Sequence, residues 1–253
     1  FDPNAPNVQL LSSTPLHVAV RNDDEEIALL LLKAGADPNI RNASRRTPFT
    51  AAVNSGNQQL VRLLHQYGGD LDALDEWGMA PLHKAVKDNQ RDWIIWLLGE
   101  GAKIDLPDSK GNSPLAYAVA GGKGQVAKLL IEHGADVNAA QRDMRPPLFS
   151  AVESKRMNMI TFLLREGADP LAKGPDGDTL LHVAARSDFV PGLELALEKG
   201  LPVDARRSGN QTPLYVAVAS GCIEAVKYLV AEGADVNARA SQDRRPIHEA
   251  CKR

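Results

Sequence analysis

Short apolar clusters at helical spacing recur along the chain, separated by polar, turn-forming residues. Leu60, Val61, Leu63 and Leu64 form one cluster, and Val126, Ala127, Leu129, Leu130 and Ile131 another of the same phase. Spacing of i, i+3 and i+4 predicts a helix of about ten residues with one apolar face. A shorter apolar run precedes each cluster and opens on Thr-Pro or a variant of it. These anchors are Thr14-Pro15, Thr47-Pro48, Ala80-Pro81, Ser113-Pro114, Pro146-Pro147, Thr179-Leu180, Thr212-Pro213 and Arg245-Pro246, at a constant step of 33 residues. Each 33-residue copy therefore predicts two helices.

Other positions keep the same phase. Five residues after each anchor stands alanine, at Ala19, Ala52, Ala85, Ala118, Ala151, Ala184, Ala217 and Ala250. Further on stands glycine, at Gly35, Gly68, Gly101, Gly134, Gly167, Gly200 and Gly233. Threonine before proline is a strong helix start, because its hydroxyl accepts a free amide and proline has no amide to leave unpaired. Gly56, Gly122, Gly221, Asn89, Asp23 and Asp188 tolerate the left-handed backbone that closes the first helix, and the phased glycine ends the second. Two helices this short cannot bury their apolar faces alone, so the copies must stack into a solenoid.

Thr14-Pro-Leu-His-Val-Ala, Ala80-Pro-Leu-His-Lys-Ala and Thr179-Leu-Leu-His-Val-Ala, each followed at fixed distance by Gly-Ala-Asp or a variant, resemble the ankyrin repeat. The resemblance covers essentially all of residues 1–253. It implies one all-α repeat domain of stacked helix-turn-helix units, with β-hairpin fingers between copies. Seven copies look complete, and an eighth covers 245–253 with its first helix alone. Copies six and eight are the expected weak links. Copy six carries Pro191-Gly192 in its second helix, where glycine replaces an apolar residue, and Gly200-Leu-Pro in place of Gly-Ala-Asp. The threonine cap is missing at Ala80, Pro146 and Arg245, at about 1 kcal/mol each.

Composition narrows the class further. The 253 residues are 43% hydrophobic with a net charge of -3, which suits a packed fold and not a disordered chain. The longest apolar stretches, Ile27 to Leu32 and Trp93 to Leu98, fall far short of the roughly 18 to 20 residues of a membrane span. Two cysteines, Cys222 and Cys251, make no disulfide framework and fit a reducing, intracellular setting, cytoplasmic or nuclear. The start at Phe1, without a signal segment, reads as an excised intracellular piece.

No catalytic motif stands out along the chain. His17, His83, His182 and His248 share one phase in separate copies, which suits a structural hydrogen bond and not convergence on a metal. Gly121-Gly122-Lys123-Gly124 lacks the residues of a phosphate loop and reads as the end of a first helix. The Asp-Val-Asn strings lack calcium-loop spacing and serve turns. No cofactor and no enzyme activity is expected. The resemblance also implies Asn138 and Asn237 as candidate substrates of asparaginyl hydroxylation.

The resemblance implies partner binding by the finger tips and the inner ends of the first helices. The six residues before each of the last seven anchors hold 11 of the 29 basic residues and 7 of the 32 acidic ones, so the fingers are basic on an acidic chain. Arg45, Arg46, Lys110, Arg142, Arg145, Arg206 and Arg207 are the candidate cations, because guanidinium forks suit carboxylate and phosphate. Trp77 and Met79 sit in one finger where other copies place polar residues, which marks them as a candidate apolar anchor. Trp93 and Trp96 occupy apolar second-helix phases and are expected in the core, not in an aromatic cage. The expected function is a non-enzymatic scaffold or targeting module. It would be a monomer that takes a protein or peptide, acidic or phosphorylated, without nucleic acid or membrane insertion. The alternative is an autoregulatory domain of a channel, kinase or transferase, or a microbial effector.

Overall fold

The computed structural model describes residues 2–7, 11–139 and 145–250. Among them stand fifteen α-helices in two compact units, residues 1–114 and 115–253. The first unit holds α1 (Pro15–Arg21), α2 (Glu25–Lys33), α3 (Pro48–Ser55), α4 (Gln58–Gln66), α5 (Pro81–Lys87) and α6 (Arg91–Gly99). From the boundary onward follow α7 (Pro114–Ala120), α8 (Gly124–Glu132), α9 (Pro147–Glu153), α10 (Met157–Arg165), α11 (Leu180–Arg186), α12 (Val190–Glu198), α13 (Pro213–Ser220), α14 (Ile223–Ala231) and α15 (Pro246–Ala250).

Odd-numbered helices open each copy and even-numbered ones close it. In the first unit α1 packs on α3 and α2 on α4; in the second, α9, α11, α13 and α15 stack in succession and α12 lies on α14. The phased alanines explain this stacking. Ala52, Ala85, Ala118, Ala151, Ala184 and Ala217 are wholly buried, and their lack of a longer side chain lets first helices approach closely. Leu64, Leu97, Leu130, Leu163 and Leu229 fill the matching second-helix site, each fully buried.

The phased histidines tie neighbouring copies together. The backbone amides of Thr14, Ala80 and Thr179 donate to Nδ1 of His17, His83 and His182 at 3.1, 3.2 and 3.3 Å. An amide can only donate, so Nδ1 accepts and the ring proton sits on Nε2. That Nε2–H donates to the carbonyl of Arg46, Asn112 or Gln211, on the turn before the next copy, at 3.0 to 3.1 Å. Ala80 thus lacks its cap hydroxyl yet keeps this half of the cap. Where the phase carries Thr50, its hydroxyl takes the same amide, from Thr47 at 2.9 Å.

Second helices end as the glycines predict, all seven in the left-handed region with φ between 83° and 96°. The amide three residues past each helix then reaches back to the last turn, as Ala36 N–H does to Leu31 O at 3.0 Å. First helices close on left-handed Asp23, Gly56, Asn89, Gly122, Lys155, Asp188 and Gly221. Lys155 escapes the sequence expectation. It holds φ 54° without the short side chain that usually eases this conformation, while its ammonium donates to Asp188 O at 3.1 Å.

The Asx residues after the second helices do more than shape turns. Asn39 donates to Gly68 O at 2.8 Å and accepts the Asp70 amide at 3.0 Å, so one side chain joins two copies. Asp72 and Asp204 accept the amides of Lys103 and Asp235 in the same way. Asn138 is bound on both sides, to Gly167 O and the Asp169 amide, whereas the exposed Asn237 side chain makes no such bridge among the described residues.

Copy six corrects one expectation. Gly192 is buried, and a Cβ there would stand 2.6 Å from the Phe189 ring and 3.2 Å from the Ala184 methyl. The volume a larger residue would fill is already taken by Phe189, so the glycine is a close-packing residue and forfeits no packing. The connections between copies are also tighter than the hairpins expected. Asn42 N–H donates to Arg46 O, Asp75 N–H to Met79 O and Asp108 N–H to Asn112 O, each closing a five-residue turn at 2.9 to 3.0 Å. Among the described residues the only β pairing is the bridge between Asn7 and Ser13.

Overpacking a tight site costs typically about 1–3 kcal/mol, so Gly192→Ala should destabilise by that amount in a urea titration. Burial lowers the folded-state pKa of His17, His83 and His182 below the ordinary 6.5, only partly opposed by the carbonyl each one faces. The unfolded chain then binds more protons, so stability is complete above pH 6.5 and declines as pH falls through the folded values. Urea midpoints at about pH 7.5 and about pH 5 should show that decline, and His83→Gln should shrink it.

Candidate partner-binding surface

The five-residue turns of the first unit present side chains on a rigid, stacked frame. In each, one Asx side chain accepts two amides: Asn42 those of Ser44 and Arg46, Asp75 those of Trp77 and Met79, Asp108 those of Lys110 and Asn112. The turns then lock edge to edge. Ser109 N–H donates to Gly78 O at 2.9 Å and the Ser109 hydroxyl to Trp77 O at 3.1 Å. A Cβ on Gly78, at φ 76°, would collide with Ser109, so close approach and backbone both require glycine there. With polar atoms of the turn consumed internally, the side chains at its tip are left free to face outward.

Arg45, Arg46, Trp77, Met79 and Lys110 therefore lie on three successive turns of one unit. Arg45 sits at a tip with φ 61°, exposed. Trp77 is 61% exposed, an unusual state for the largest apolar side chain, while Met79 beside it is half-buried. The Arg46 guanidinium reaches Glu76 at 2.6 Å and lies 5.9 Å from the Trp77 ring centroid. Lys110 is exposed on the third turn.

Between the first of these turns and the inner helices α1 and α3 opens a cleft of about 460 Å³. Leu11, Val18, Arg21, Ser44, Arg46 and Asn54 are among its walls. Leu11 is 63% exposed, and Arg21 makes no ion pair or side-chain hydrogen bond among the described residues. Sequence reasoning missed Leu11, Arg21, Asn54 and Glu76. Arg21 and Asn54 lie on helices and Leu11 before α1, outside the turn windows, and Glu76 is an acid inside a window searched for bases.

The second unit spends its arginines differently. Arg145 pairs with Glu153 at 2.5 Å, Arg186 bridges Glu153 and Asp178 at 3.5 and 3.2 Å, and Arg207 pairs with Asp178 at 2.9 Å. Arg207 also grips Gln211 Oε1 through two nitrogens. Burial alone would raise the Asp178 carboxyl, but Arg207 and Arg186 outweigh it and hold the group below the usual carboxylate value. Arg206 donates to the carbonyls of Asn210 and Arg239, staying exposed. Arg142 lies outside the described residues.

The indole pair closes one alternative. Trp93 is buried and Trp96 half-buried, stacked with centroids 4.4 Å apart and planes at 6°, with the Arg62 guanidinium over both. Parallel rings in contact leave no gap for a methylated ammonium. Among the described residues no group of three or more His, Cys, Asp or Glu could hold a metal ion, and no helix is long and apolar enough to cross a membrane.

The pattern described for ankyrin repeats (three copies) matches residues 16–108, 94–174 and 148–240. The chain belongs to the ankyrin-repeat family. Such repeats are generally protein-interaction modules, and no catalytic domain is found in the matched segments. Comparison with the curated proteins finds no match. Among solved structures, the ankyrin-repeat domain of Bcl-3, described as a unique member of the IkappaB protein family, is similar. It is 29% identical, with a TM-score of 0.68, over 85% of this chain and 98% of that one.

One prediction tests the ladder. Asp178→Asn should cost about 2 kcal/mol at neutral pH, the scale of hydrogen bonds to a charged group. Because the folded carboxyl is held below its ordinary value, that contribution is present above the unfolded value and lost as pH falls through the folded one. The two chains should converge in stability under acid.

Proposed function

We propose that this ankyrin-repeat chain is a non-enzymatic docking module that takes a protein or peptide across the turns and first helices of residues 11–112. The observation that carries the reading is Trp77: a large indole left 61% exposed on a turn held by the Asp75 side chain and by Ser109 of the next turn. Burying it on a partner would remove a large apolar area from water at little ordering cost, since the turn is already fixed. Arg45 and Lys110 on the flanking turns supply the charged rim that steers an acidic partner. In the second unit, Arg145 and Arg207 serve the ion-pair ladder, and Arg206 is an exposed cation on a turn of that unit.

Photo-crosslinkers placed at Ser44 and Lys110 should capture the partner, and the same probe at Glu132 on α8 should not. With that partner, Trp77→Ala combined with Met79→Ala should lose about 2 kcal/mol or more of affinity with little change in melting temperature. A lid that only shields the turn would give the reverse, lowered melting with affinity spared. Arg45→Glu and Lys110→Glu should act chiefly on the association rate and flatten its salt dependence.

A further inference from the structure

Among the residues described as walls of the 460 Å³ cleft, the charged ones are Arg21 and Arg46; no carboxylate lines it, and His17 is held neutral by its two backbone bonds. Arg21 makes no ion pair among the described residues, while Arg46 is held from just outside by Glu76. Glu76 is anchored from two sides, Oε1 at 2.6 Å from the Arg46 guanidinium and Oε2 3.4 Å from the Asn54 amide nitrogen. Its carboxylate is the more confined partner, 16% exposed against 47% for Arg46. Oε1 is shut off from solvent and meets no hydrogen-bond donor beyond that ion pair. A carboxylate held this way carries part of its desolvation penalty uncompensated.

We infer that the cleft takes an acidic peptide segment, with an apolar side chain seated against Leu11 and Val18 and a neighbouring carboxylate that displaces Glu76 from Arg46. This rests on the reading of that face as the binding face, and adds the chemistry of the occupant and an internal competitor. Two features make the exchange inexpensive. The incoming carboxylate keeps the half-exposed Arg46 guanidinium paired, and the freed Glu76 oxygen, shut off from solvent in the ion pair, regains water. The apolar wall and the second, unpaired arginine reward a ligand that carries both an aliphatic group and more than one acid. Glu76 thereby screens out ligands with a single weak charge, since only a ligand that also fills the apolar wall outcompetes the tethered carboxylate.

The test uses the ¹⁵N-labelled chain titrated with acetyl-Ser-Glu-Leu-Glu-Ser-amide, its Gln-Leu-Gln counterpart and its Glu-Gly-Glu counterpart. The Glu-Leu-Glu peptide should shift the amides of Val18, Ser44, Arg46 and Asn54, with both counterparts binding several-fold more weakly. Glu76→Gln should tighten binding several-fold, because the neutral amide competes less for the guanidinium, and Arg46→Gln should weaken it. Equal binding of the Gln-Leu-Gln peptide, shifts centred away from the cleft, or a Glu76→Gln chain that binds no better would each overturn the inference. The peptide arm needs no variant to fold. A partner captured at Ser44 whose affinity ignores Glu76→Gln would defeat the competitor alone and leave the docking surface standing.

Discussion

A helix of seven residues joined to one of nine cannot cover its own apolar face, and the whole architecture answers to that shortage. Each pair hides part of its apolar surface between its own two helices and the rest only against the pair before and the pair after it. Full burial of Ala52 and Leu64 therefore draws on helices about 33 positions away as well as on their own pair. Because this burial is nearest-neighbour, every copy needs a device that holds the next one at the right height. His17, His83 and His182 do so from the first helices, and Asn39, Asp72, Asn138 and Asp204 from the connections.

Those devices explain why the turns are free to serve binding. The backbone of each turn in the first unit is closed by its own Asx side chain, and the first and third turns are tied as well by His17 and His83 of the preceding copies. Trp77 can then stand exposed and Arg45 can occupy a left-handed tip without the turn collapsing. On the proposed docking reading, a partner would meet a pre-ordered surface, and the entropic cost of binding would fall mainly on the ligand.

Arginine plays two opposed roles on one repeat. In the second unit it is absorbed by Glu153 and Asp178 into a ladder that ties successive copies, and its charge is largely cancelled. In the first, Arg21 is unpaired among the described residues and Arg46 is held by one carboxylate on one side of a cleft. Equal counts of basic residues in two turns therefore say little about which turn attracts an anion; the carboxylates on the adjoining helices decide it.

The helices, their order, their 33-residue step and the burial of the phased alanines were all legible in the chain, because they depend on local caps and on a spacing repeated eight times. Trp77 was legible too, as a residue the other copies do without. What the tertiary structure alone decided was pairing across copies: Asn39 bridging to Gly68, and Glu76 closing on Arg46 while Arg21 makes no ion pair among the described residues. Such contacts join side chains some 30 residues apart whose meeting depends on the lateral offset between stacked copies. That offset is a sum of many packing contacts and leaves no signature at either residue, so a pattern read along one copy cannot contain it.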